Sequence, residues 1–129
     1  MTNAVDQLLT ALETGTPVPA GTFTDDSVLD FTVPGWRFAT RGAEAISARW
    51  LGWHGLPGRF EHLRREPLSD GELVEYTLTW NTAEGPYAVH HCHLLRIEDG
   101  QIARDTAFCG GQWGPAQLAE MGAEMSTTA

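Results

Sequence analysis

VHHCHLLRIEDGQIARDTAFC, residues Val89 to Cys109, reads as two strands joined at Glu98-Asp99-Gly100, and both the fold and the candidate chemistry depend on how that hairpin is paired. Side chains alternate across a strand, so Val89, His91, His93 and Leu95 share one face while His90, Cys92, Leu94 and Arg96 share the other. The three histidines are therefore divided, and only His91 and His93 can converge. A three-residue loop Glu98-Asp99-Gly100, with Gly100 left-handed, pairs Ile97 with Gln101 and sets Leu95 opposite Ala103, His93 opposite Asp105 and His91 opposite Ala107. A two-residue Asp99-Gly100 turn would shift the register by one and break the pairing of His93 with Asp105. Hairpin preferences favour the three-residue loop.

Working outward from the hairpin, ELVEYTLTW alternates cleanly. Val74, Tyr76, Leu78 and Trp80 form an apolar face, and in either near register Tyr76 lies beside His91 or His93. FEHLRREPL, the turn SDG and the turn NTAEGP complete an antiparallel meander from Arg59 to Cys109. Ahead of it, Val5, Leu8, Leu9 and Leu12 recur at helical spacing, with Asn3 or Asp6 as caps and Gly15 as the stop. FTDDSVLDFTVPGWRFATRG reads as a brief helical turn and a short strand pair broken at Pro34-Gly35, and Gly42 opens a second helix that ends near Gly55. A last helix begins at Pro115 and runs to about Met125. Helices first and an antiparallel sheet after give an α+β fold, with helices on one face of the sheet.

The 129 residues suit a single domain, 1–129. Eight Lys plus Arg against seventeen Asp plus Glu leave a net charge of −9, which disfavours nucleic acid and anionic membrane as partners. Cys92 and Cys109 form no C-x-x-C motif and no disulfide framework. No apolar stretch approaches a membrane span and no basic leader is visible, so a cytoplasmic protein is expected. Cys92, Leu94, Ile102 and Phe108, read as outward, would leave an apolar band on the uncovered sheet face, which predicts a homodimer.

The FTDDSVLDFTVPGWRF and GAEAI segments, the LLRIEDGQI hairpin and the final strand ARDTAFCGGQW resemble, in order and spacing, the nuclear transport factor 2-like superfamily, in its SnoaL-like polyketide cyclase and ketosteroid isomerase branches. The resemblance spans nearly the whole chain. It implies a cone: a strongly curved sheet wrapped around the N-terminal helices, enclosing an apolar pocket. It places His93 where the isomerases carry the acid that hydrogen-bonds the substrate oxygen, and His91 at a pocket-lining position. The isomerases' general base matches Phe31, one residue after Asp30, so steroid isomerisation by their mechanism is not implied. The epoxide hydrolase branch needs carboxylates bracketing an arginine, and Arg104 points outward by alternation.

The expected catalytic residues are His93 and Asp105, with His91 and Tyr76 beside them: a carboxylate fixes an imidazole's tautomer and equips it for proton transfer. Phe31, Val74, Val89, Ala107 and Cys109 are the expected walls, with Trp36 and Trp113 at the mouth, each after a glycine break. His91-x-His93 could offer two imidazoles to a metal, with Asp105 or Cys109 third, but Cys109 lies four residues beyond Asp105, so no metal is expected. Cys109 is better read as a buried thiol than as a nucleophile. The reading is a cofactor-independent acid/base enzyme, a cyclase, isomerase or dehydratase, acting on a small hydrophobic oxygen-bearing molecule. The alternative is a non-catalytic binding or accessory protein. A dyad open to a pocket favours the first, and one buried under side chains favours the second.

Overall fold

The computed structural model describes residues 3–128; Met1, Thr2 and Ala129, included in the expected domain, lie outside them. The elements follow as α1 (Ala4–Thr14), β1 (Phe23–Val33), β2 (Trp36–Arg41), α2 (Ala43–Trp53), β3 (Arg59–Leu68), β4 (Gly71–Thr82), β5 (Gly85–Glu98), β6 (Gln101–Trp113) and α3 (Pro115–Thr128). The strands make one curved, open sheet in the order β2-β1-β6-β5-β4-β3. The pairing of β1 with β6 is parallel, and the other four are antiparallel. The architecture is the expected α+β.

α1 forms where the apolar spacing calls for it. The Asn3 side chain accepts the Asp6 N–H at 2.8 Å and the Asp6 carboxylate accepts the Asn3 N–H at 3.3 Å, a capping box that satisfies two free donors. Gly15 ends the helix at φ 69°, and a Cβ there would meet the Leu56 backbone at 2.6 Å, so both conformation and space demand glycine. Val5, Leu8, Leu9 and Leu12 are buried against the sheet, and α2 adds Ile46 and Trp50.

Three expectations are corrected. The segment after Phe23 is strand, not a helical turn. Its register on β6 shifts between Phe23 and Val28, so Thr24 to Ser27 span an irregular stretch held by ladder pairs on both sides, and that pairing overrides the turn preference of Asp25-Asp26.

The hairpin at Gly100 is the second correction. It uses the two-residue turn, with Asp99 at φ 51° and Gly100 at φ 79°, and Glu98 pairs with Gln101. That turn alone would put Asp105 on the wrong face. A bulge restores parity: Ile97 pairs with Ile102 but Arg96 pairs with Arg104, leaving Ala103 extra on β6. His93 therefore faces Ala107, His91 faces Cys109 and Leu95 faces Asp105. Asp105 lies two ladder positions nearer the turn than expected, and on the same face as His93.

The same bulge accounts for the third correction. Ile102 and Ala103 are both buried, so Ile102 does not join the outward band, which keeps Leu94, Phe108 and the half-buried Cys92.

Candidate active site

Strand alternation on β4 and β5, together with the two bulges of β6, gathers the polar groups of the interior. Tyr76, His91, His93 and Asp105 all point inward, and none is more than 2 % exposed. His93 Nδ1 lies 2.8 Å from Asp105 Oδ1, and His93 Nε2 lies 2.9 Å from the Tyr76 hydroxyl. The same hydroxyl lies 3.1 Å from His91 Nδ1. Four buried groups thus form one unbroken line, Asp105–His93–Tyr76–His91. Asp105 Oδ2 has no hydrogen-bond partner among the described residues, and Leu29 and Leu95 flank the carboxyl across the ladders.

The surroundings are aromatic. Phe31 meets the His91 ring edge-on at 5.5 Å, and Trp50 lies 5.4 Å from His93 and 6.0 Å from His91. Burial drives the His91 pKa well below its ordinary value, with the neighbouring His93 and His54 pushing the same way. Burial likewise raises the Tyr76 hydroxyl, helped by the Asp105 charge. Tyr76 is therefore a neutral hydroxyl and His91 a neutral imidazole at pH 7.

The sequence-predicted walls are only partly brought together. Phe31, Val74, Val89 and Ala107 are buried on the inward face, and Cys109, half-buried, lies opposite His91; burial raises its thiol pKa. Trp36 is 71 % exposed at the start of the edge strand β2 and is not among the residues that border the interior cavity. Trp113 stacks on His90, 6.4 Å away on the outer face. The reason is a second bulge on β6: His91 pairs with Cys109 but Val89 with Gln112, so Gly110 and Gly111 together oppose His90. Gln112 takes the inward position that strict alternation assigns to Trp113.

The interior is also fuller than an open cone. Trp50 packs on His93 and His91, and Phe31 on His91, and a cavity of ≈ 110 Å³ is bordered by Trp53, His54, Leu56, Leu78, Trp80 and Gln112. The sequence reading did not assign His54, Trp50 and Trp53 to the site. Their signal was the spacing Ile46, Trp50, His54, four apart on one face of α2.

Arg104 points outward, as alternation requires, and with Arg37 it binds Asp30, whose carboxyl is held below its ordinary range chiefly by the Arg37 hydrogen bond. Among the described residues no group of three or more His, Cys, Asp and Glu is arranged to hold a metal ion.

Comparison with known structures places this architecture in the nuclear transport factor 2-like class. A nuclear transport factor 2-like protein of unknown function from Mesorhizobium loti superposes with a TM-score of 0.67 at 20 % identity, over 84 % of this chain and 88 % of that one. A candidate polyketide cyclase from Pseudomonas putida gives 0.62 at 20 % identity, over 93 % and 98 %. A LEH-like epoxide hydrolase from M. tuberculosis gives 0.58 at 18 %, over 82 % and 79 %. At these identities the likeness establishes the fold alone. The chain belongs to the SnoaL-like domain family, whose family model matches residues 5–105. No curated protein matches the sequence.

Proposed function

We propose that the protein is an acid/base enzyme of the cyclase, isomerase or dehydratase kind, acting on a small hydrophobic oxygen-bearing molecule. The observation that carries this reading is the continuous hydrogen-bonded line from Asp105 to His91. Its donors and acceptors can be assigned in full. With Asp105 ionised, His93 Nδ1–H donates to the carboxylate, Tyr76 O–H donates to His93 Nε2, and His91 Nδ1–H donates to the Tyr76 oxygen. His91 Nε2 is then left with its lone pair.

A proton taken up at His91 Nε2 reverses the line. His91 passes its Nδ1 hydrogen to Tyr76, Tyr76 passes its own to His93 Nε2, and the added charge comes to rest between His93 and Asp105. In that form the buried group carries no net charge, whereas a proton held on His91 alone would be an uncompensated ion in an aromatic interior. His91 Nε2 is therefore the contact atom, and Asp105 with His93 is the sink. Cyclisation by carbon–carbon addition, isomerisation and dehydration each begin with removal of a proton from carbon next to an oxygen-bearing group, and none of them moves an electron pair to a redox carrier.

The burial of His93 and Asp105 favours the second reading, a binding protein whose dyad only stabilises the core. An exchange experiment separates the two. In D2O, with a panel of small ketones and aldehydes, hydrogen exchange next to the carbonyl is followed by NMR. The enzyme reading expects accelerated exchange that is lost in His91→Gln and reduced in Asp105→Asn. Binding of the panel without exchange or conversion would leave the binding protein as the correct reading.

A further inference from the structure

His54 is a buried polar side chain outside the line from Asp105 to His91. It closes α2, its backbone N–H donating to the Trp50 carbonyl at 2.8 Å, and it stands one turn beyond Trp50 on the inward stripe. It is 7 % exposed. Its ring lies parallel to the Trp50 indole at 5.8 Å, edge-on to Trp80 at 6.4 Å and edge-on to His91 at 5.3 Å.

Neither ring nitrogen has a hydrogen-bond or ion-pair partner among the described residues. The side chain is largely buried, yet its ring nitrogens are not among the fully buried unpaired atoms of the described residues, so a donor and an acceptor stay accessible to a molecule in the adjoining cavity. The Nε1–H of Trp50, whose indole stacks on the same ring, is a fully buried donor without a partner among the described residues. Burial, with the charge of His93 as a lesser cause, lowers His54 to about 4, so the ring offers one N–H and one lone pair at pH 7.

The ≈ 110 Å³ cavity against His54 presents no charged side chain, and its walls are indole, leucine and one amide. A charged ligand would lose its hydration there without gaining a counter-ion. Trp80 and Gln112 also line a wider cleft of ≈ 350 Å³ with Thr82, Glu84 and Tyr87, so the cavity continues toward the surface. A cavity of about 150 Å³ takes up benzene, so the ≈ 110 Å³ space accommodates a single ring where that ring extends into the adjoining cleft.

We propose that His54 is a ligand-binding residue, hydrogen-bonding the oxygen of a small neutral ligand, of single-ring size, seated against Trp53 and Trp80. That this ligand is the substrate rests on the function proposed above; the binding site does not.

The test uses the full chain and two probes of equal shape, 4-fluorophenol and 4-fluorotoluene, titrated by 19F NMR. The preference for the phenol over the toluene should fall at least about fivefold in His54→Phe, and survive in His54→Gln and in His93→Gln. In the wild-type protein the His54 ring nitrogens should shift on adding 4-fluorophenol, a readout that does not depend on a variant folding. An unchanged preference in folded His54→Phe, unmoved His54 nitrogens, or no 4-fluorophenol binding at millimolar concentration would overturn the assignment. If the phenol binds at His54 while no carbonyl compound exchanges, the proton line fails and this site stands. Exchange that persists without any ligand response at His54 gives the converse.

Discussion

Tyr76 is the residue on which the interior turns, because one hydroxyl joins two imidazoles that meet edge-on, centroids 6.1 Å apart, and share no hydrogen bond with each other. Tyr76→Phe leaves both His91 Nδ1 and His93 Nε2 without a partner in a site closed to water. Each buried group left unpaired costs about 1–3 kcal/mol, so urea denaturation should show a loss of that order or more, with the fold retained. Catalysed exchange should fall with it, although Phe keeps the shape. The histidines also set the acid limit of stability. His54 drops from 6.5 to about 4 on folding and His91 is lowered as well, both chiefly by burial. Between those values the unfolded chain binds more protons than the folded one, so stability is complete above about pH 6.5 and is lost as pH falls toward 4. For His54 alone the full swing is about 3 kcal/mol. Stability measured at pH 7 and pH 5 should therefore differ less in His54→Phe than in the wild-type protein, and an equal difference would contradict the burial of a neutral ring.

At the scale of elements, β6 decides the site through two single-residue insertions. Deleting Ala103 should remove the first bulge, turn Asp105 to the outer face and abolish its hydrogen bond to His93, seen as a changed His93 Nδ1 resonance. An unchanged resonance would mean that some other device fixes the parity. These bulges mark the limit of what the sequence discloses. Helix α1, helix α2 and the four-strand meander were legible because apolar spacing, caps and turn residues agree locally. The inward set Tyr76, His91 and His93 was legible from alternation alone. Asp105 was assigned to the correct face by a three-residue loop that does not exist; a two-residue turn and a bulge add up to the same parity. Trp113 was misplaced because Gly110-Gly111 inverts alternation without an apolar signal. His54 and Trp50 stood at i, i+4 spacing, but a helical stripe names a buried face and not what that face touches across the sheet.

For the whole molecule, the uncovered sheet face still needs an account. Leu94 and Phe108 are 39 % and 45 % exposed on its outer side, with Cys92 on β5 directly opposite Phe108. We propose that this face pairs with a second copy of the chain. Light scattering at micromolar concentration should give twice 14.1 kDa, and Leu94→Glu with Phe108→Glu should give 14.1 kDa. A wild-type monomer would contradict the pairing. No helix among the described residues is long and apolar enough to cross a membrane.

The claim beneath all of this is that Asp105 and His91 sense one another through His93 and Tyr76, and side-chain 15N NMR of the histidines measures it directly. Asp105→Asn should move the His91 nitrogens in the wild-type background and leave them still in a Tyr76→Phe background. His91 nitrogens indifferent to Asp105 while Tyr76 is present would show that the line carries nothing.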